Sequence, residues 1–318
     1  MPSLKGKKIV ITGATGFVGA NLVRMALKGG AEVHILTREN SNAWRIKDLL
    51  DDINNHSSDL LNYEKTTSTI IKIKPDIVYH LATYGGKPNQ DDLFRIIDTN
   101  FISTTNLVRA CKKVDLELFV NTGSSSEYGI KPNPMRESDC PEPINYYGVS
   151  KCAATLYCQT ASRNEKLLIV TLRLFSPYGD YEESARLIPS VIMACLRGKN
   201  PRISSPRFVR DFIYIEDVID SYVRLVDAPV PDLKGQILNI GSGKEHSIGE
   251  VANKIIELTG KDVELLTGKE QRWPNEPENW HADVSKAEHL LGWKPKYDLE
   301  RGLKASIKWF EENIKLYN

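Results

Sequence analysis

Lys8-Ile9-Val10-Ile11-Thr12-Gly13-Ala14-Thr15-Gly16-Phe17-Val18-Gly19 lies close to the start of the chain. Lys8 to Thr12 is a short apolar run rich in β-branched residues, the pattern of a buried strand. After it, apolar residues recur with helical spacing at Phe17, Val18, Leu22, Val23, Ala26 and Leu27, and Gly29-Gly30 closes the helix. Three glycines therefore stand between a strand and a helix. In that context Gly13 permits a tight turn, Gly16 lets the backbone approach a pyrophosphate, and Gly19 lets helix and strand pack closely. The helix N-terminus adds unpaired N–H groups and a partial positive charge. A dinucleotide held by Gly13, Thr15, Gly16, Phe17, Val18 and Gly19 is the expected ligand.

Further strands are predicted at Glu32–Leu36, Asp76–Leu81, Leu116–Thr122 and Leu168–Leu174, with helical stretches between them. Parallel neighbours need a crossover of about a dozen residues, so this rhythm specifies an α/β fold with a Rossmann-type, doubly wound parallel sheet. The rhythm loosens after Phe175. The expected division is a dinucleotide-binding domain over 1–174, with a contribution from about 213–240, and a smaller substrate domain over 175–318. Gln236–Ile240 is a strand candidate that can return to the main sheet, so the second domain is expected to interleave with the first.

The 318 residues carry 42 Lys and Arg against 41 Asp and Glu, a net charge of +1, which gives no global field for gathering nucleic acid or an anionic membrane. No apolar stretch reaches the roughly 18 residues of a membrane span, and no secretory pattern precedes the first strand. A cytoplasmic enzyme is expected. Cys111, Cys140, Cys152, Cys158 and Cys195 are odd in number and form no C-x-x-C pair, and the histidines show no ligand spacing, so neither a disulfide framework nor a metal site is expected.

The second strand ends in Leu36-Thr37-Arg38-Glu39. A guanidinium at Arg38 can clamp a ribose 2′-phosphate, which an acidic side chain would repel, so Thr37-Arg38 favours NADP(H). The competing reading is NAD(H), with Glu39 turned toward the ribose and Arg38 in solvent. Further on, Tyr147 and Lys151 stand four apart in a helical stretch and so share a face, where an ammonium can act on the phenol.

The glycine turn, the serine cluster of Asn121-Thr122-Gly123-Ser124-Ser125-Ser126-Glu127-Tyr128-Gly129, the Tyr147-x-x-x-Lys151 pair and the later Arg210-Asp211-Phe212 run together resemble the extended short-chain dehydrogenase/reductase family, over nearly the whole chain. The resemblance implies action on nucleotide-linked sugars with a held nicotinamide cofactor. It assigns acid/base work to Tyr147, electrostatic support and a ribose contact to Lys151, and a hydrogen bond to the reacting sugar oxygen to Ser124, with Ser125 as fallback. It places Asp59 and Leu60 near adenine, Leu81 and Ala82 with His80 under the cofactor, and Asn100 on the next helix. Tyr84, Glu127, Ser176, Arg186, Arg210, Arg272, Glu276 and Trp280 are the expected substrate contacts. The family's dehydratases carry carboxylates where this chain has Ser125 and Ser126, so dehydration is disfavoured. Two chemistries stay open: an NADPH-dependent reduction of a nucleotide-linked 4-keto-6-deoxyhexose, favoured by Arg38 and by likeness in the loop His80–Gln90, and an NAD-dependent 4-epimerase. A non-catalytic NADP sensor would need neither Tyr147, Lys151 nor the serines. The family's dimers imply a four-helix contact through Asn100–Lys113 and Tyr147–Arg163, with Ala153, Ala154, Leu156 and Tyr157 as its apolar face.

Overall fold

Apolar residues alternate between two buried faces along successive strands, and this alternation builds the sheet. The computed structural model describes residues 4–86, 89–228, 233–268 and 280–317. Among these, seven strands form one parallel sheet: β1 (Lys8–Thr12), β2 (Glu32–Thr37), β3 (Asn54–Ser57), β4 (Ile77–His80), β5 (Leu118–Ser124), β6 (Ile169–Leu174) and an edge strand, Ile237–Ile240. Their spatial order is Ile237–Ile240, β6, β5, β4, β1, β2, β3. Ile9, Ile11, Ile35, Tyr79, Val120 and Leu172 fill one face, beneath α1 (Phe17–Lys28). Val10, Leu36, Val78, Phe119 and Ile169 fill the other, against helices that carry Ile70, Leu107, Val108 and Cys158. Burial on both faces is what a parallel sheet requires of its strands.

The strand β3 has no counterpart in the sequence pattern. Its residues, Asn-Asn-His-Ser, form an exposed edge, so burial never imposes an apolar alternation on them.

Chain order reverses between β1 and β4. β1 pairs with β2 on one side and with β4 on the other, with Thr12 opposite both Leu36 and His80. Ligands of open α/β sheets bind at such a switch point, outside the carboxyl ends of the strands. The glycine turn and Leu81-Ala82 both lie there.

Three further helices flank this crevice: α2 (Tyr63–Ile73), α3 (Leu93–Ile97) and, after a π-helical turn at Asp98–Ile102, α4 (Ser103–Cys111). A long helix, α5 (Tyr146–Asn164), follows β5, and its N-terminus is capped by Asn145 Oδ1, which accepts the Gly148 N–H at 2.7 Å. The elements after β6 that lie outside the seven-stranded sheet, the smaller lobe, begin with β7 (Ser176–Tyr178), which pairs with Phe212–Tyr214, and α6 (Leu187–Leu196), and their core is continuous with that of the sheet. Buried Asp211 staples this lobe together. Its carboxylate accepts the backbone N–H groups of Ser242, Gly243 and Ala282 and the Ser242 hydroxyl at 2.5–3.1 Å. No helix among the described residues is long and apolar enough to cross a membrane.

Candidate active site

The glycine turn is built for close approach. Gly13 has φ +69°, and a Cβ there would stand 2.6 Å from Ala82 N; a Cβ on Gly19 would stand 2.2 Å from the Gly13 carbonyl oxygen. Gly16 N-caps α1 without a side-chain cap, and the first turn carries no acid, so its N–H groups can take an anion. This cradle fits a dinucleotide pyrophosphate. Phe17 and Val18 pack against the core, and Asn21 Nδ2 donates to the Phe17 carbonyl. Buried Arg45, which the sequence pattern does not single out, donates to the carbonyls of Thr15 (3.4 Å) and Tyr181 (2.7 Å), joining the turn to the smaller lobe.

Beneath the turn runs a buried polar chain. Thr12 Oγ1 accepts the Leu81 and Ala82 N–H groups at 3.2 Å, which leaves its own proton for His80 Nδ1 at 2.7 Å. This pattern assigns the Nε2–H tautomer, which donates to Thr104 Oγ1 at 2.8 Å, and Thr104 in turn donates to the Asn100 carbonyl. Burial, with the nearby Lys151 ammonium, pulls His80 down to about 3, so the ring is neutral.

Asn100 does not meet the expectation of a cofactor contact. Its carboxamide is buried and fully spent: Oδ1 accepts from Thr83 Oγ1 and Tyr84 N, and Nδ2 donates to Tyr84 O and Ser150 Oγ. It ties the chain after β4 to α5. Thr37 likewise gives its proton to Asn55 Oδ1 on β3. Arg38 and Asp59 do converge, in an open cleft of about 400 Å³ that Glu39, Asn40, Ser57, Lys65 and Arg95 also line. Leu60 is core, with its carbonyl accepting from Asn106. The Arg95 guanidinium lies 4.4 Å from the centre of the Tyr84 ring, so Tyr84 is linked to this cleft.

Tyr147 meets Ser124 and Thr83 past the ends of β4 and β5, and Lys151 follows one helical turn further along α5. A Cβ on Gly148 would stand 2.4 Å from the Ser126 carbonyl oxygen, so the first turn of α5 sits directly on the serine loop. Burial pushes the half-buried Tyr147 phenol up. Hydrogen bonding with Ser124 and Thr83 and the charge of Arg186 draw it back, while Glu127 pushes it up. Lys151 is 4% exposed, and burial pulls its ammonium down to about 8 against the attraction of Glu127 and Cys158. Thr83 is a site residue the sequence reading misses. The available signal is a hydroxyl placed directly after His80-Leu81-Ala82 at the switch point. Arg186 is exposed and donates to the Gly86 carbonyl at 3.0 Å, bringing the smaller lobe to the same place.

Two expected contacts, Glu127 and Trp280, are redirected. Glu127 does not face a substrate: it is fully buried, bonded to Arg173 Nε at 2.8 Å and to the Ser124 N–H at 2.8 Å. Trp280 is 8% exposed and donates its indole N–H to Ser125 Oγ at 2.7 Å, so it anchors the serine loop and its ring is packed with Tyr128, Met135 and Phe175. Ser124 is the serine that hydrogen-bonds with Tyr147. Arg210 is half-buried, donates to the Val209 carbonyl and lies 5.8 Å from the Trp280 ring centre. Ser176 is half-buried in β7. Arg272 and Glu276 lie outside the described residues. Among the described residues no group of three or more His, Cys, Asp or Glu could hold a metal ion.

A dinucleotide cradle beside Tyr147, Ser124 and Thr83 fits an enzyme that uses a pyridine nucleotide. The chain belongs to the NAD dependent epimerase/dehydratase family, whose model matches residues 9–241. It is 27% identical over 324 residues to UDP-glucuronic acid decarboxylase 1 of Xenopus tropicalis, covering 97% of this chain and 73% of that one. It is 29% identical over 329 residues to UDP-glucuronate 4-epimerase of Thermodesulfobacterium geofontis, covering 96% and 97%. Among solved structures, the UDP-glucuronic acid 4-epimerase of Bacillus cereus, in complex with UDP-glucuronic acid and NAD, superposes with TM-score 0.85 at 28% identity, covering 96% and 99%.

Proposed function

We propose that this protein is a nucleotide-sugar 4-epimerase. What supports the reading is the meeting of Tyr147 with Ser124 and Thr83 at the switch point, beside the glycine cradle, with Lys151 one helical turn along α5. The similar proteins include several epimerases, a decarboxylase and a 4,6-dehydratase, and the recurrence of epimerases among them favours epimerisation over the reduction that Arg38 first suggests. Burial of Glu127 removes the one carboxylate of the serine loop from the site, which counts further against a dehydratase.

In this reading Tyr147 takes the proton of the sugar's C4 hydroxyl, and Ser124 holds that oxygen while it changes between alcohol and ketone. When bound, a nicotinamide dinucleotide supplies the acceptor and donor of the C4 hydride. Lys151, kept charged in a buried setting, stabilises the phenolate, and Arg186 adds positive charge on the open side. Thr83 gives the phenol a second hydroxyl neighbour. The substrate is a nucleoside-diphosphate hexose, with Arg186 and Arg210 suited to its diphosphate.

One observation favours a second reading. Arg38, Lys65 and Arg95 line the cleft at the end of β2, a setting suited to a 2′-phosphate and so to an NADPH-dependent reductase, although Glu39 and Asp59 in the same cleft suit the free ribose hydroxyls of NAD. The assembly we propose is a homodimer through α3, α4 and α5, where Phe94 (78% exposed), Tyr146 (61%), Val149 (49%) and Leu156 (48%) lie bare. Ala154 is fully buried and does not belong to that face.

The test is incubation of the protein with NAD⁺ or NADPH and with UDP-glucose, UDP-glucuronate or a nucleotide-linked 4-keto-6-deoxyhexose. Interconversion of C4 epimers without net change in nicotinamide absorbance is the expected result. Net NADPH oxidation on the keto sugar alone would replace the epimerase with the reductase.

A further inference from the structure

The serine that faces Tyr147 is held from below by an ion pair with almost no contact with solvent. Glu127 and Arg173 are 0% and 1% exposed, joined Oε2 to Nε at 2.8 Å. Glu127 Oε1 accepts the Ser124 N–H at 2.8 Å, while Ser124 Oγ accepts the Ser126 N–H at 3.1 Å, a reciprocal cap that fixes both backbone and side chain of Ser124. The preceding residue is shaped for this: a Cβ on Gly123 would stand 2.7 Å from Glu127 Oε1 and 3.1 Å from the Arg173 side chain. Arg173 also lies 4.4 Å from the centre of the Tyr128 ring, and the Tyr128 hydroxyl donates to Asn239 on the edge strand at 2.6 Å.

Stability does not account for the pair, because a buried ion pair commonly gains no more than a well-packed apolar substitute. Its Nη1 atom has no hydrogen-bond partner, which adds to the cost. What the pair does have is position, one residue-length from the reacting oxygen's partner.

We propose that Glu127 and Arg173 are positioning residues for catalysis: Arg173 orients the Glu127 carboxylate, and the carboxylate sets the serine loop so that the Ser124 hydroxyl faces the Tyr147 phenol. The inference rests on the reading of Tyr147 and Ser124 as the groups that meet the sugar's C4 oxygen. The carboxylate also acts through its charge. Among the described residues, the charged and titratable groups that act on the two catalytic side chains are Glu127, His80 and Cys158 at Lys151, and Glu127, Arg186 and Tyr222 at Tyr147. Glu127 raises the affinity of both Lys151 and Tyr147 for their protons, so loss of its charge moves both to lower pH.

The experiment compares Glu127→Gln, the apolar pair Glu127→Leu/Arg173→Met, and Tyr147→Phe with the parent, using the epimer interconversion of UDP-glucose or UDP-glucuronate and the melting temperature of each protein. Glu127→Gln keeps an acceptor for Ser124 and is expected to shift the whole pH profile of kcat acidward by about half a unit or more. The apolar pair is expected to melt within a few degrees of the parent. It should keep KM within about threefold yet lose at least about tenfold in kcat, because the Ser124 N–H loses its acceptor. An apolar pair with kcat within about twofold of the parent, or a Glu127→Gln profile that does not move, overturns the proposal while an inactive Tyr147→Phe leaves the site reading standing. Activity in Tyr147→Phe overturns both.

Discussion

Gly19 shows how narrowly single residues are specified around the dinucleotide cradle. A methyl group there would stand 2.2 Å from the Gly13 carbonyl oxygen, with backbone rather than a movable side-chain end in the way. Gly19→Ala is expected to cost about 1–3 kcal/mol in folding stability, the usual range for overpacking, and to abolish measurable dinucleotide binding; denaturant titration and equilibrium dialysis check the two effects. Gly19 is legible in sequence because its constraint is local, falling within seven residues of chain. Glu127, Trp280 and Asn100 are not legible in the same way. Their types suit a ligand, yet each is claimed by a partner distant in sequence: Arg173, Ser125 and the Thr83–Tyr84 segment. Thr83 escapes notice for the converse reason, since nothing in its neighbours in sequence shows that α5 brings Tyr147 beside it.

At the scale of elements, the connection from β7 to α6 is where strain and buried charge collect. Tyr181 holds φ +66°, a conformation L side chains rarely adopt, and its carbonyl is taken by Arg45. Next to it, burial pushes the Glu182 carboxyl up to about 8, and its Oε2 has no hydrogen-bond partner. The Tyr317 hydroxyl donates to the Glu182 carbonyl at 2.8 Å, so the last described turn of the chain covers this spot. A carboxyl raised in the folded state favours folding fully below its unfolded pKa, and that contribution is lost as pH rises through about 8. Glu182→Gln is therefore expected to leave stability nearly unchanged at pH 5 and to raise it by about 1–3 kcal/mol at pH 9; urea melts at the two pH values check the difference. An equal gain at both would show that charge is not the cause. Among elements, the central strands are legible because two-sided burial writes continuous apolar runs, whereas β3 and the two-residue pairings of the smaller lobe carry no such mark.

For the whole molecule, the sheet's reversal between β1 and β4 explains why the cradle and the Tyr147 cluster lie side by side, and why Ile237–Ile240 can return to the sheet after the smaller lobe has begun. The bare apolar residues of α3 and α5 make assembly the next expectation. Light scattering should give about twice the chain mass of 35.8 kDa. Phe94→Asp with Val149→Asp should return the mass to that of one chain without loss of the fold by circular dichroism. A single-chain mass for the parent would remove the dimer.

In the proposed epimerisation Tyr147 moves the proton at the sugar's C4 oxygen. Turnover of Tyr147→Phe beside the parent on UDP-glucose and UDP-glucuronate tests this, with dinucleotide binding measured on the same samples. Tyr147→Phe is expected to lose at least about a hundredfold in epimer interconversion, with dinucleotide affinity within about threefold of the parent. Interconversion within about tenfold of the parent in Tyr147→Phe, with the dinucleotide bound, would contradict it.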